Sequence, residues 1–253
     1  MSNSPIVTYL STPSQWDWAF IKDCFSISFW SMILLIVLEY LTWDKEWSKK
    51  IKDDKISALY KQAIKATSFH FAVIGPIAYG GSYWVVLNNP KSLFPWYISI
   101  IGVYIVQAAG YASAHAWMHK PANYWIHKMH HQYNEISFIR PISANTVTVT
   151  EFSIAYALPI VTGLLLFRPT INDMWWVTMT ISATNFLIHT PPTILNMKWA
   201  PNWLITNDKH FHHHEKDVRM HYSAPIFDFD KILNIGQKNQ YKGDPKMGSD
   251  KME

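Results

Sequence analysis

Apolar residues in this chain gather into long blocks instead of alternating with polar ones. Five blocks approach the roughly 20 apolar residues that a bilayer core requires. They cover about 24–42, 66–86, 95–114, 147–167 and 174–190, the last short and polar enough for a partial span. The pattern predicts an all-α integral membrane protein of four to five transmembrane helices. The Phe25–Leu38 stretch runs into EYLTWDKEW with no small-residue cleavage site, so the first block is expected to be a retained anchor.

Charge lies between the blocks and sets their orientation. The segment 43–65 carries Lys45, Lys49, Lys50, Lys52, Lys55, Lys61 and Lys65, whereas the basic residues of 87–94 and 168–173 are Lys91 and Arg168 alone. By the positive-inside rule the lysine-rich segment is cytosolic, and a short amphipathic helix is expected there. Threading five spans from it puts 114–146 and everything after 191 on the same side. Pro121 breaks the helix after the third block and Tyr124–His131 restarts it. RPTIND is expected to be a six-residue turn between the last two blocks, and Gly75, Pro76, Gly80 and Gly81 predict a kinked second span.

Composition adds little beyond this. The chain has 253 residues, enough for one large domain, and is 49% hydrophobic and 15% aromatic. A mean hydropathy of −0.04 conceals the segregation of charge from apolar blocks. The net charge of +4 follows from membrane geometry and does not call for nucleic acid. Cys24, the single cysteine, excludes an internal disulfide and a thiolate metal site.

Candidate chemistry lies in three histidine clusters: His115-x-x-x-His119, His127-x-x-His130-His131 and His210-x-x-His213-His214. Histidines three or four apart share one helix face, and neutral imidazole is the commonest side-chain metal ligand. A solvated histidine tract is the bland alternative for any one cluster. Eight imidazoles exceed the needs of one ion and point to two adjacent metals with little or no carboxylate ligation. Nothing resembles the H-E-x-x-H of zinc hydrolases, whereas imidazoles with open positions suit ferrous iron and dioxygen. Such a centre at the mouth of a membrane bundle suits attack on a lipid C–H bond. His70, about one turn inside the second block, is either a functional intramembrane histidine or a hydrogen-bonded core one.

The three motifs in this order resemble the fatty acid hydroxylase / sterol desaturase superfamily of membrane di-iron oxygenases. The resemblance covers roughly 105–235 and extends to HKMHHQYN, to NFLIHT with His189, and to HYSAPIFDFDKIL with Tyr222 and Asp230 on family positions. The DKIL and SFIRP…TEFS stretches lean towards the sterol-oxidising members. Three departures stand out. His221 replaces the family's Asn, ISANTVTVTE replaces its Ala-His-Pro-x-Glu stretch, and Phe229 replaces its Trp.

The resemblance implies two irons held by His115, His119, His127, His130, His131, His189, His210, His213 and His214. No catalytic residue is expected beyond the metal centre. His221 is expected to face the metals as an added ligand or a supporting contact, His212 to lie behind the ligands or face solvent, and Asn185 to support His189 or simply pack. Electrons are expected from cytochrome b5 and its reductase, because the chain shows no haem or flavin motif. The expected layout is an N-terminal arm (1–23), a membrane oxygenase domain (24–253) with a cytosolic metal cap (115–146 and 191–235), and a tail (236–253), in the endoplasmic reticulum membrane. The expected activity is hydroxylation or desaturation of a sterol. Alternatives are an alkylglycerol, sphingoid-base or fatty-acid hydroxylase, and a non-catalytic metal-binding scaffold. A metal transporter fits poorly, because its ligands would follow a path through the spans.

The orientation is open to a direct test. A glycan-acceptor tag within 87–94 is expected to be modified and one placed after residue 240 is not. The reverse pattern would place the clusters on the luminal side.

Overall fold

In the computed structural model, residues 18–88, 94–133, 139–215, 220–230 and 232–235 are described. Residues 1–17 of the expected arm, most of the 87–94 loop and the 236–253 tail lie outside them. The helices are α1 (Trp18–Leu41), α2 (Lys45–Lys50), α3 (Asp54–Phe69), α4 (Gly75–Asn88), α5 (Trp96–Met118), α6 (Tyr124–His127), α7 (Val149–Glu151), α8 (Leu158–Phe167), α9 (Ile171–Ile188) and α10 (Asn207–Glu215). Among the described residues there is no strand, only an isolated antiparallel bridge between Leu204 and Phe227.

Three helical stretches are long and apolar enough to cross a membrane: Ile21–Leu41, Trp96–Met118 and Val149–Phe167. The expected second and fifth spans are helical but fall outside this set. Polar side chains dilute them, Ser68, His70 and Ser82 in one and Thr178, Thr180, Thr184 and Asn185 in the other. Both still pack into the bundle, where Tyr79 of α4 and Met174, Val177 and Ile181 of α9 are buried with Cys24, Val103 and Leu164. Large apolar side chains point outward on every side, including Phe25, Trp30, Ile77, Ile101, Leu166 and Trp176. Helices apolar on all faces are stable where the solvent is lipid.

Proline accounts for two irregularities. It has no N–H, and its ring clashes with the carbonyl four residues back. Pro76 follows a one-turn π-helix at His70–Ile74, and Pro159 follows another at Phe152–Ala157. In both places the backbone widens and continues instead of ending. The kink expected in the second span is therefore a wide turn that joins α3 to α4, and a second one joins α7 to α8.

The turn between α8 and α9 is shorter than expected, only residues 168–170. Arg168 ends α8 in the left-handed region (φ 47°), and Thr170 caps α9 by accepting from the Asp173 backbone N–H. Asp173 accepts in return from the Thr170 N–H.

One end of the bundle carries a cap. Arg140 Nε donates to Glu39 Oε1 at the end of α1 (2.7 Å), while its guanidinium lies 4.4 Å from the Trp47 ring centre. Glu39 also accepts from Tyr60 and from the Ile142 N–H. Tyr133 donates to the Leu59 carbonyl, and Thr67 to that of Ile142. The lysine-rich segment, which forms α2 and most of α3, thus shares its end of the molecule with the segment after α5, as the charge pattern required.

Close approach of α5 and α8 holds the bundle together. A Cβ on Gly163 would sit 3.1 Å from the Val103 Cα, and one on Gly110 2.8 Å from the Pro159 Cβ. Gly163→Leu is expected to separate the helices at an overpacking cost of about 1–3 kcal/mol. Thermal unfolding in detergent should show a lower midpoint, and an unchanged midpoint would mean that this approach contributes nothing.

Candidate metal centre

Each histidine reaches the centre from an element whose geometry explains its direction. His115 lies in the last turn of α5 and His119 caps that helix, so the pair point the same way. His127 ends α6, and a short 3-10 turn carries His130 and His131. His189 caps α9, while His210, His213 and His214 ride on α10. All nine are buried.

Their nitrogens form two groups in which every ligand atom lies within 4.8 Å of the others. One holds His115, His119, His127, His131 and His213; the other holds His130, His189, His210 and His214. The groups adjoin, with the His131 and His214 rings stacked at 4.7 Å across the boundary. The His130-His131 and His213-His214 dipeptides are therefore each split, one imidazole to either group. Neighbours on a helix diverge by about 100°, so one short segment serves both sites. The nine histidines converging here are those picked out by spacing and family resemblance.

The outer nitrogens show that the inner ones are ready for a cation. His115 Nδ1 lies 2.7 Å from the Tyr222 carbonyl, His213 Nδ1 2.6 Å from that of Met220, and His189 Nδ1 2.7 Å from that of Asn185. His127 Nδ1 lies 2.6 Å from Glu151 Oε1. Carbonyl and carboxylate oxygens accept, so these Nδ1 atoms carry the protons and each Nε2 presents a lone pair. His115 Nε2 and His127 Nε2 then stand 2.8 Å apart with no proton between them. That contact is repulsive unless a cation lies near both. Burial first, and then the surrounding imidazoles, hold His119, His127, His131, His210 and His214 well below the usual histidine pKa, so they are neutral and able to ligate. The donor set fits two metal ions.

Glu151 was not singled out in the sequence. It belongs to the ISANTVTVTE stretch and is 1% exposed, with its carboxyl group on His127 Nδ1. It is an outer support, so the expectation of an imidazole-dominated ligand set is compatible with a carboxylate one contact further out. The sequence signal was a lone acid at the start of an apolar block. Asn185 meets His189 through its backbone carbonyl, a contact any residue could supply. Its side chain reaches the Ala144 carbonyl at 3.5 Å.

Asp230 ties the segment 220–230 together. Its carboxylate accepts from the backbone N–H groups of Tyr222 and Ser223 and from the Ser223 hydroxyl. That holds the Tyr222 carbonyl against His115. His221 and His212 lie outside both groups, and their rings pack on each other, 5.4 Å apart. His221 has φ 59°, a left-handed conformation in which Asn, Asp and His are the non-glycine residues most at home. The Asn-to-His departure is thereby explained by backbone. The residue turns the chain so that its two neighbours, Met220 and Tyr222, both offer carbonyls to ligand histidines.

Comparison with known proteins agrees with this geometry. The family model described as fatty acid hydroxylase matches residues 99–234, more than half the chain and all nine histidines. No curated protein and no solved structure matches it.

Two sets of substitutions test the site. His213→Ala is expected to lower the metal bound per chain with the fold retained, whereas His212→Ala should leave it near wild type. Equal losses would move the third cluster out of register. His221→Gly and His221→Asn should both keep the metal, and His221→Val should lose stability, read by metal analysis and thermal unfolding. Loss of metal in the Gly and Asn variants would show that the imidazole itself is needed.

Proposed function

The chain belongs to the fatty acid hydroxylase family, and on that premise we propose that it is a membrane-bound di-iron oxygenase that hydroxylates or desaturates a lipid C–H bond. The observation that carries this reading is the pair of adjacent all-imidazole groups, nine buried nitrogens at one end of an apolar bundle. A hydrolase would need a carboxylate base facing the metal water. Here the nearby acid, Glu151, is turned to the outer nitrogen of His127 instead.

Bound iron supplies the activation of dioxygen and the removal of hydrogen from the lipid. The protein's own residues orient and insulate. Glu151 and the carbonyls of Tyr222, Met220 and Asn185 fix four imidazole tautomers, so that Nε2 faces inward. The buried cap keeps water from the reacting carbon. His212 and His221 act behind the ligands, and no protein general base enters the scheme.

The substrate we favour is a sterol, on the DKIL and SFIRP…TEFS resemblance. An alkylglycerol, sphingoid-base or fatty-acid substrate would use the same centre. Electrons would come from cytochrome b5 and its reductase. The lysine-rich face beside the cap, cytosolic by the positive-inside rule, fits a multi-pass protein of the endoplasmic reticulum.

Purified protein is expected to hold two irons per chain. Cells expressing it should accumulate a lipid that has gained one oxygen or lost two hydrogens. Protein that folds without metal and leaves the lipids unchanged would favour the non-catalytic scaffold.

A further inference from the structure

The spanning helix α5 carries its own depth marks. Trp96 opens it and Trp117 is its penultimate residue, both exposed, so about 31 Å of helical rise separates them. A bilayer's hydrocarbon core is about 30 Å thick, and tryptophans gather at its two boundaries. The two residues therefore mark the two faces of the membrane. Trp117 lies between His115 and His119 along the chain. The metal ligands accordingly stand at the depth of the lipid headgroups, and the rim of the cap around them meets the bilayer boundary.

Two stretches of that rim suit the setting. Trp125 on α6 is 66% exposed, and Trp199 and Trp203, in the loop before α10, are 75% and 59% exposed. Exposed lysines lie beside them, Lys128 and Lys198, and neither 116–133 nor 190–206 contains an aspartate or glutamate. The loop leans on the spans instead of standing clear of them. Leu204 and Phe227 pack on the cluster that holds Val103 and Leu164, and the Trp203 ring lies 5.8 Å from that of Phe227. Its backbone is closed to match. The carbonyls of Asn202 and Leu204 accept from Lys209 Nζ, and the Trp203 carbonyl between them accepts from the Asp228 N–H. The third Lys209 donor goes to the Asp228 carboxylate at 2.8 Å. A loop in water can leave its carbonyls to solvent. Beside lipid each unpaired one is costly, and the partner must come from the protein.

We propose that the rim of the metal cap is itself a membrane-binding surface, with Trp125, Trp199 and Trp203 seated at the boundary between lipid phosphates and acyl chains. The rings take the acyl side, and Lys128 and Lys198 reach the phosphates, the division that amphipathic side chains make at that depth. Continuity points to the leaflet as occupant and not to a second protein. The aromatic rim starts at Trp117, in a helix that crosses the membrane, and carries no acid that would repel phosphate. The cap thereby has an attachment to the bilayer besides the helices that carry it. The proposal rests on the spans and on no metal, so it stands or falls apart from the oxygenase reading.

The test uses the full, metal-loaded chain in phosphatidylcholine bilayers. Cys24 is the single cysteine, so on a Cys24→Ser background a nitroxide can be attached at one chosen position. Trp199→Cys and Trp203→Cys place it on the loop. Lys61→Cys, exposed on α3, is the water reference, and Ile101→Cys, exposed on α5, is the hydrocarbon reference. Collisions with dissolved oxygen rise with depth in the bilayer, and those with a water-soluble nickel chelate fall. The oxygen-to-nickel collision ratio at 199 and 203 is expected to lie between the two references. A ratio that matches Lys61→Cys puts the loop in water, and one that matches Ile101→Cys puts it in the core; either overturns the proposal. Loss of both kinds of collision overturns it as well, because a second copy of the chain then covers the loop. Metal content shows which variants are folded. The unsubstituted chain gives a reading that depends on no variant. A phospholipid with a diazirine on the acyl carbon next to glycerol should, on illumination, label peptides from 190–206. Absence of that label overturns the proposal.

Discussion

Everything in this protein is arranged around unshared electron pairs facing one another in a buried space. Nine imidazoles that are neutral and mutually close have no reason to assemble without a cation between them. The fold removes the alternative, in which they would turn to hydrogen-bond elsewhere, by occupying four of the outer nitrogens with a carboxylate and three backbone carbonyls. Those acceptors come from α7, α9 and the loop after α10. Elements far apart in sequence are therefore tied to the same centre, and its integrity depends on all of them at once.

The loop 220–230 shows how much structure such support demands. Asp230 gathers backbone donors, His221 takes a left-handed conformation, and the result is two carbonyls placed on two ligand histidines. None of these residues would touch a metal. A residue that departs from a family pattern beside a metal centre invites a chemical explanation. Here the backbone dihedral supplies a simpler one, because Asn and His share a tolerance for that region.

Proline links the bundle to a cavity between α1, α4, α8 and α9. Two helices that could have run straight each lose an internal hydrogen bond at a proline and widen just before it. The widened turns face each other across the space lined by His70 and Phe152. Where α5 and α8 meet, by contrast, the bundle is close-packed through glycines. The irregular stretches border this space.

The sequence alone determined the fold class, the common surface of the histidine clusters and the nine histidines that converge. Most follow from local rules: apolar block length, lysine distribution, and the helical spacing of His115 with His119 or His210 with His214; the lone His189 came from the family resemblance instead. At 66–86 and 174–190 polar residues dilute the helices, which pack inside the bundle beside the three longest apolar ones. Only the tertiary structure decided how the histidines divide into two groups and that Glu151 supports His127. It alone separated His212 and His221 from the centre and showed His70 hydrogen-bonded to the Val147 carbonyl. These depend on which residues from distant segments meet, and on which nitrogen of a ring faces which neighbour. Local spacing cannot encode either, because a helix face says where a side chain points and not what is waiting there.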